Sequence, residues 1–287
     1  MHYRRYIPPP PLAAFVGCLW YSEGQQGTHE RERLLPNGES GIVFDLRERD
    51  RRGPSSDPPG FDASPREAAN HAPSVFCGAR SDSFLLDTCQ QERVIGIQFR
   101  PGGAFPFLGM PASEVANASW ALDDIWPGEA ALLREELLAA ANVDAMFRVL
   151  LKMLMAKLRS QRGLHPAVSF GTASLGASNG DFSLAPNPLP VRVKDVVDQI
   201  GLSSRYFKEI FLEQTGLTPK AFQRVRRFQH VLQALRGDSQ QDFAEIAIAC
   251  GYFAQAHFIH DFKDFSGVTP GEYLAVATPH LNHLPVK

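Results

Sequence analysis

The spacing of apolar positions changes from a strand-like to a helix-like pattern near Trp126. Before that residue, apolar side chains occur in short runs that end in turn residues, as in "ERVIGIQFRPGG", and such runs are typical of strands. After it, residues such as Phe147, Leu150 and Leu154 recur at helical spacing. The pattern predicts a β-rich domain over residues 1–160, with a barrel-like closure as one candidate arrangement and with helices at its C-terminal end.

Two segments lack an apolar pattern and predict connections rather than packed elements. Residues 47–74 are polar and rich in Pro, Arg, Asp and Ser, which is typical of a long loop. Residues 161–189 are rich in Gly, Ser, Asn and Pro and predict a linker, in which "HPAVSFGTASL" can form one short helix. Two interpretations of the Met- and Leu-rich stripe in "VDAMFRVLLKMLMAKLRS" stay open: it covers the β-rich domain, or it forms a seam between two copies of the chain.

A set of seven landmarks occurs twice in the last third of the chain. The offset between the copies is 50 residues at the first glycine and 51 residues at the other landmarks, so the second turn is one residue longer. An ordered match of this kind indicates a duplicated structural unit. The landmarks are Gly201, Phe207, Phe211, Gly216, Thr218, Pro219 and Phe222 in one copy, and Gly251, Phe258, Phe262, Gly267, Thr269, Pro270 and Tyr273 in the other.

Each copy has the plan of a helix-turn-helix. A short amphipathic helix leads to the first glycine of the set, where a sharp turn requires a positive φ. A second helix with a phenylalanine core face ends at the second glycine, and a Thr-Pro pair begins the helix that follows. The sequence predicts an all-α domain over residues 190–275, with two helix-turn-helix units joined by a long helix, and a tail over 276–287. The whole chain is thus predicted to be a two-domain α+β protein.

Composition places the chain among globular proteins without a membrane-spanning segment. Of its 287 residues, 44 % are hydrophobic and 21 % are charged, and no apolar run approaches the roughly 20 residues that a membrane span needs. The N-terminus carries a proline run where a signal peptide is continuously apolar, so we expect a cytoplasmic protein with no membrane partner. Its four cysteines form no CxxC pair and predict free thiols.

A basic block precedes an acidic block in the duplicated region. Residues 205–236 contain seven Lys and Arg against two Glu, a net charge of +5. Residues 238–272 contain six Asp and Glu against one Lys, a net charge of −5. Because attraction to phosphate dominates DNA affinity, we expect the first unit and the linking helix to carry most of any such affinity.

Candidate sites for metals, catalysis or anions are sparse. His257 and His260 lie three residues apart near two aspartates, but no HExxH motif or paired-Cys spacing accompanies them, so we expect no metal. No GxGxxG, P-loop or GxSxG motif is present, so we also expect no cofactor, no catalytic residue and no enzyme activity. The turn at Arg100, Gly102 and Gly103 is either a candidate effector or anion site or only the end of a strand.

The duplicated region resembles the DNA-binding domain of AraC-type transcriptional regulators. The stretches "GYFAQAHFIHDFKDFSGVTP" and "GLTPKAFQRVRRFQHVLQAL" carry this resemblance, which covers residues 191–274. The N-terminal half is similar to the β-rich domain of one branch of that family, through "CLWYSEG", "ERLLPNGESGIVFDL" and "VIGIQFRPGGAFPFLGMP". The resemblance implies a bacterial, sequence-specific DNA-binding protein whose N-terminal domain senses a small molecule or mediates dimerisation.

The second helix of each unit contains the residues predicted to meet DNA. In a helix-turn-helix, exposed residues early in the second helix face base edges in the major groove. The linking helix would hold the two units about one DNA turn, roughly 34 Å, apart. The predicted base-reading residues are Ser204, Arg205, Lys208 and Glu209 in the first unit and Gln255, Ala256, His257 and His260 in the second. The predicted phosphate contacts are Thr218, Lys220, Arg224, Arg226, Arg227 and Lys263, although the three arginines can also form a solvated helix face.

We therefore predict a transcriptional regulator that binds double-stranded DNA, with a small-molecule effector, RNA polymerase and a second copy of the chain as candidate partners. Glu209 and His260 stand where many AraC-type relatives have arginine. The resemblance therefore implies an altered base preference in the first unit and weaker binding by the second. This departure keeps a second hypothesis open, a ligand- or protein-binding sensor whose DNA binding is weak or lost.

Overall fold

The computed structural model describes residues 2–24, 31–47, 72–88, 92–158, 163–176, 191–237, 242–278 and 280–286. Most of the predicted loop at 47–74 and the second half of the predicted linker at 161–189 lie outside these residues. Within them the chain forms nine strands and eleven α-helices. The strands occupy the N-terminal half and the extreme C-terminal end, and the helices follow the order that the apolar pattern predicts.

The strands form two antiparallel sheets. They are β1 (His2–Tyr6), β2 (Val16–Glu23), β3 (Arg31–Leu34), β4 (Gly41–Asp45), β5 (Ser74–Cys77), β6 (Phe84–Asp87), β7 (Arg93–Phe99), β8 (Ser119–Ala121) and β9 (His283–Val286). The larger sheet has the order β1-β2-β7-β4-β5-β8, and the smaller has the order β6-β3-β9. The two-domain α+β class is confirmed, but the described strands lie in two separate sheets rather than in a closed barrel.

β7 is the central strand of the larger sheet and lies in its core. Ile97 pairs with Leu19 of β2 on one side and with Ile42 of β4 on the other, and all three side chains are buried. A Cβ on Gly96 would lie 2.4 Å from Cε2 of Trp20. Only glycine therefore lets the Trp20 ring lie across this strand.

Four helices cover the larger sheet, namely α1 (Phe105–Leu108), α2 (Leu122–Ile125), α3 (Glu129–Leu138) and α4 (Val143–Leu158). The apolar stripe of α4 places Phe147, Leu150 and Leu154 in the same buried cluster as the isoleucines of β7. This stripe therefore covers the β-rich domain. Because these side chains are buried within the chain, they do not form a seam between two copies.

Seven helices form the C-terminal domain. They are α5 (Pro166–Gly176), α6 (Val193–Ile200), α7 (Ser204–Thr215), α8 (Pro219–Gly237), α9 (Phe243–Ala249), α10 (Gln255–Ser266) and α11 (Pro270–Val276). The first helix-turn-helix is α6–α7, the second is α9–α10, and α8 links them. Gly216 and Gly267 end α7 and α10 with φ of 83° and 76°, as the repeat predicts, because an L side chain is strained there.

α5 lies in the segment predicted as a linker, yet it packs into the first helix-turn-helix. Val168 and Leu175 share a buried cluster with Phe207 and Phe211 of α7. A Cβ on Gly171 would lie 2.8 Å from the Phe207 ring, so the two helices approach closely. α5 is therefore a structural part of the first unit.

The predicted C-terminal tail contains a strand that completes a sheet of the N-terminal half. β9 pairs with β3, with Leu284 opposite Arg33. Leu284 is buried in the core of the second helix-turn-helix, together with Leu35 from the segment after β3. Nδ1 of His283 lies 2.6 Å from Oε2 of the buried Glu32 on β3. The last residues of the chain thus join the second unit to the N-terminal domain.

The three cysteines in the described part of the chain are free thiols. Cys18 is buried, and Cys77 and Cys250 are half-buried; Cys89 lies outside the described residues. Burial raises the pKa of the Cys250 thiol to about 11. No helix in the described ranges has the length and apolar character needed to cross a membrane.

Candidate nucleic-acid interface

α7 presents its predicted base readers to solvent. Ser203 caps the helix by accepting a hydrogen bond from the backbone amide of Tyr206 at 3.2 Å, which fixes where the helix starts. Nε of Arg205 donates to Oε1 of Glu209 at 2.9 Å. The exposed base readers are Ser204, Arg205, Lys208 and Glu209. The first unit therefore offers a donor and an acceptor side by side rather than an isolated positive charge.

α10 presents its predicted base readers in the same way but without a side-chain cap. Ala254 occupies the N-cap position, where the first unit has a serine. The ring of His257 packs edge-on against Tyr252, with centroids 5.2 Å apart. The exposed base readers are Gln255, Ala256, His257 and His260. Both recognition helices, α7 and α10, thus leave their N-terminal ends open to a partner.

The two histidines of α10 point to different neighbours. His257 contacts the Tyr252 ring, and Nδ1 of His260 lies 3.5 Å from Oδ2 of Asp264. Across the ranges that the structure describes, no group of three or more His, Cys, Asp or Glu side chains could hold a metal ion. The spacing that suggested a metal site is explained by the helix-turn-helix.

Arg226 lies in the interior, which corrects its prediction as a phosphate contact. Its side chain is 8 % exposed, and Nη1 donates to Oε1 of Glu39 at 3.3 Å and to the backbone oxygen of Asn37 at 3.4 Å. Glu39 also accepts a hydrogen bond from Nε2 of Gln98 at 2.6 Å. Burial raises the pKa of the Glu39 carboxyl, and the positive charge of Arg226 offsets part of that rise. Arg226 therefore joins α8 to the N-terminal domain.

Arg224 and Arg227 are paired with carboxylates of α10. Asp261 is 2 % exposed; it accepts hydrogen bonds from Nε of Arg224 and from the hydroxyl of Tyr252, the latter at 2.9 Å. Nη2 of Arg227 lies 3.7 Å from Asp261, and Nη2 of Arg224 donates to Asp264 at 2.8 Å. The side chains of Arg224 and Arg227 are 41 % and 25 % exposed, so a role in phosphate contact stays a prediction for both. Their ion pairs partly neutralise the predicted acidic block.

Three predicted phosphate contacts are exposed. Oγ1 of Thr218 accepts a hydrogen bond from the amide of Ala221 at 3.2 Å and so caps α8, as the sequence predicts. Lys220 lies in the first turn of α8, and Lys263 lies in the last turn of α10. The exposed residues are Thr218, Lys220 and Lys263. They stay candidates for phosphate contact.

The turn at Arg100 is closed and packed, which corrects the candidate anion site. The amide of Gly103 donates to the backbone oxygen of Arg100 at 2.7 Å, and Nε of Arg100 donates to the backbone oxygen of Ala13 at 2.9 Å. Gly102 and Gly103 are buried, and a Cβ on Gly102 would lie 3.0 Å from Cδ1 of Leu164. The turn ends β7 and packs against the segment that leads into α5.

The N-terminal domain contacts both recognition helices at the ends opposite their base readers. A Cβ on Gly216, at the end of α7, would lie 3.1 Å from the backbone oxygen of Ala112. A Cβ on Gly267, at the end of α10, would lie 2.7 Å from Nη1 of Arg33. Nε2 of Gln229 in α8 donates at 2.7 Å to a backbone oxygen of the turn after β3. The N-terminal domain thus touches both units and the linking helix while the base readers stay exposed.

Two carboxylates without a predicted role, Glu39 and Asp261, organise this arrangement. Asp261 lies three residues after Phe258 and one before Phe262, which is the spacing of a buried helix face. That spacing is a signal that could have placed Asp261 in the interior. Glu39 has no such signal, because its partner Arg226 is 187 residues away in the sequence.

Comparison with known proteins agrees with the two-domain architecture. Residues 4–121 match the family described as a domain of unknown function (DUF6597). Residues 196–275 match a family described as a helix-turn-helix domain. An uncharacterized HTH-type transcriptional regulator from Haemophilus influenzae is 25 % identical over 132 residues, which are 46 % of this chain and 44 % of that protein.

Solved structures give matches of two lengths. A probable AraC family transcriptional regulator from Rhodopseudomonas palustris is 26 % identical with a TM-score of 0.32, over 40 % of this chain and 100 % of that chain. ToxT from Vibrio cholerae is 12 % identical with a TM-score of 0.40, over 91 % of this chain and 94 % of that chain. The helix-turn-helix family match includes α7, α8 and α10. Behind a β-rich domain, residues 196–275 thus match a helix-turn-helix domain family, and they contain two recognition helices joined by one long helix.

Proposed function

We propose that the chain is a transcriptional regulator that binds an operator with both helix-turn-helix units. The observation that carries this proposal is the exposure of the N-terminal ends of α7 and α10, the ends that a helix-turn-helix inserts into the major groove. α8 has 19 residues and is therefore about 28 Å long. This length is close to the roughly 34 Å that separates neighbouring major-groove segments on one face of DNA.

The exposed side chains support a division of base reading between the units. In the first unit, Arg205 donates to guanine while Glu209 accepts from the amino group of cytosine, so the two can read a guanine and a neighbouring cytosine. In the second unit, Gln255 suits adenine and Ala256 suits the methyl group of thymine. His260 is exposed beside Asp264, and we place it at the edge of the second reading surface.

The phosphate contacts in this proposal are fewer than the sequence suggests. Thr218, Lys220 and Lys263 are exposed and are the residues that we assign to the DNA backbone. Arg224, Arg226 and Arg227 of α8 instead hold this helix to the second unit and to the N-terminal domain through ion pairs. Their contribution to DNA binding is then to fix the geometry of the reading surface.

We also propose that the N-terminal domain controls DNA binding through its contacts with α8 and with the ends of both recognition helices. A small-molecule effector would act there only if it binds more tightly to one of two arrangements that differ in DNA affinity. The ion pair between Glu39 and Arg226 is the contact that such a rearrangement would break first, because it joins the β-rich domain to the middle of α8. A second copy of the chain and RNA polymerase are further partners in this proposal, which places the protein in the cytoplasm.

The test is selection of bound sequences from random duplex DNA with the full-length protein. The full chain is required because β9 completes a sheet of the N-terminal half. We expect an enriched motif with two segments about one helical turn apart. Arg205→Ala should erase preference in one segment, and Gln255→Ala should erase it in the other.

A matched control separates base reading from charge. Lys220→Ala removes one positive charge near the first unit and should weaken binding to all sequences equally. A folded wild-type protein that enriches no motif would contradict the proposed function. A motif that contains one segment only would contradict the proposed role of the second unit.

A further inference from the structure

The turn of the second helix-turn-helix contains one residue that has no counterpart in the first. The first turn runs from Gly201 through Leu202 to the N-cap Ser203. The second runs from Gly251 through Tyr252 and Phe253 to the N-cap Ala254, so it is one residue longer. Tyr252 is 4 % exposed and fills the place of the half-buried Leu202. The additional residue is therefore Phe253.

Phe253 is the most exposed large apolar side chain in the described part of the chain, at 97 %. A phenylalanine in this position gains nothing from the fold, because burial of apolar area is what stabilises such a side chain. Turns of this kind usually carry Gly, Asn, Asp or Ser. An exposed phenylalanine beside a recognition helix therefore indicates a contact made with a partner rather than within the chain.

The position of Phe253 indicates which partner it meets. It lies two residues before Gln255, where α10 begins, and thus beside the end of the helix that enters the major groove. The N-terminal domain contacts α10 at the opposite end, at Gly267. Because α10 has 12 residues, these two ends are roughly 18 Å apart. Phe253 therefore lies at the end of the second unit that the proposed function places against DNA.

We propose that Phe253 contacts the 5-methyl group of a thymine in the operator and so adds base preference to the second unit. The methyl group of thymine is the apolar feature of the major groove, and phenylalanine is one of the side chains that reads it. The contact rests on the proposed function, because it requires the second unit to lie in the groove. It supplies the second unit with an attraction that does not depend on positive charge, which is scarce there because Lys263 is the one Lys or Arg residue between 238 and 272.

The experiment combines a protein substitution with the removal of a single methyl group from DNA. In the operator selected by the full-length protein, each thymine of the second segment is replaced in turn by deoxyuridine, which lacks the 5-methyl group. For one thymine, we expect the wild type to lose about fourfold in affinity, as the burial of one methyl group implies. The Phe253→Ala variant should bind the thymine and deoxyuridine operators equally.

Two further variants keep the test decisive. Ile248→Ala removes another exposed apolar side chain of the second unit, 72 % exposed, and should keep the wild-type response to deoxyuridine. Phe253→Leu should keep a partial response because it retains apolar area. If each replacement of thymine by deoxyuridine lowers the affinity of Phe253→Ala by the same factor as that of the wild type, the proposed contact is wrong. The proposed DNA-binding function is not affected by that result. If the folded wild type selects no operator, the proposed function itself fails and the contact fails with it.

Discussion

Arg226 of the linking helix and Glu39 of the β-rich domain form an ion pair of 3.3 Å between Nη1 and Oε1 across 187 residues of sequence. The pair lies where α8 meets the larger sheet, because Glu39 also bonds to Gln98 of β7. An arginine that the sequence assigns to DNA phosphate therefore holds the two domains together. The difference between these two roles can be measured.

Arg226→Met should destabilise the protein rather than weaken its attraction to phosphate. Removal of one partner leaves the half-buried Glu39 without its cation, at a cost of roughly 3 kcal/mol in the free energy of unfolding. Lys220→Met is the matched control, because Lys220 is exposed; it should change stability by less than about 0.5 kcal/mol. Urea denaturation measures the first effect. The salt dependence of DNA binding measures the attraction to phosphate. The slope of log affinity against log salt concentration should become shallower by about 1 for Lys220→Met and should not change for Arg226→Met.

The Glu39 carboxyl should make stability depend on pH in a defined direction. Its pKa lies above the ordinary value of 4.5, because burial disfavours the charged form more than Arg226 and its neighbours favour it. The folded state therefore holds the proton more tightly than the unfolded state does. This stabilisation is complete below pH 4.5 and is lost as the pH rises through the raised pKa.

Glu39→Gln tests this direction because glutamine does not titrate. The free energy of unfolding of the variant minus that of the wild type should increase as the pH rises from about 4 to about 7, because only the wild type loses stability over this range. Urea denaturation at several pH values measures the difference. A difference that stays constant, or that changes in the opposite direction, would show that the Glu39 carboxyl keeps an ordinary or lowered pKa in the folded protein.

Asp261→Asn should strongly destabilise the second unit. The carboxylate is buried and accepts hydrogen bonds from Arg224 and Tyr252, so its replacement leaves the half-buried Arg224 and Arg227 poorly paired, at a cost of about 3 kcal/mol. Asp264→Asn is the matched control on the same helix; its partly exposed ion pair with Arg224 should be worth less than about 1 kcal/mol. Equal losses of stability for the two variants would contradict the central role of Asp261.

Leu284→Ala should destabilise the protein although Leu284 lies three residues from the C-terminus. Its side chain is buried in the core of the second unit, and a leucine truncated there costs about 2–5 kcal/mol. Val286 in the same strand is half-buried, so Val286→Ala should lower the free energy of unfolding by only about 1 kcal/mol. Thermal or urea denaturation of the full-length variants decides between a packed strand and a dispensable tail.

Local structure could be predicted from this sequence because its signals lie within a few residues of each other. Ser203, Thr218 and Thr269 begin helices as N-caps, and Gly216 and Gly267 end them with positive φ. Each of these roles depends on hydrogen bonds or backbone angles within one helical turn. The duplicated landmarks in turn predict two helix-turn-helix units joined by a long helix, as the structure has them.

The candidate site could be predicted only in part because its remaining features depend on distant partners. The exposed base readers follow from their place on a helix. The arginines of α8 do not, because Arg224 and Asp261 are separated by 37 residues and a charge has no periodicity that reveals its partner. β9 was missed for a similar reason: its residues form too short a run to indicate a strand, and its pairing partner β3 lies near the other end of the chain.

The pairing of β9 with β3 has a consequence for how the protein is made. Arg31 lies opposite Val286, so one edge of β3 stays uncovered during synthesis until β9, which follows it by more than 200 residues, has also been made. Until then, the open edge of β3 is a template for pairing with strands of other molecules. Nascent or truncated chains should therefore be more prone to aggregate than the finished protein, and the two domains should mature together rather than one after the other.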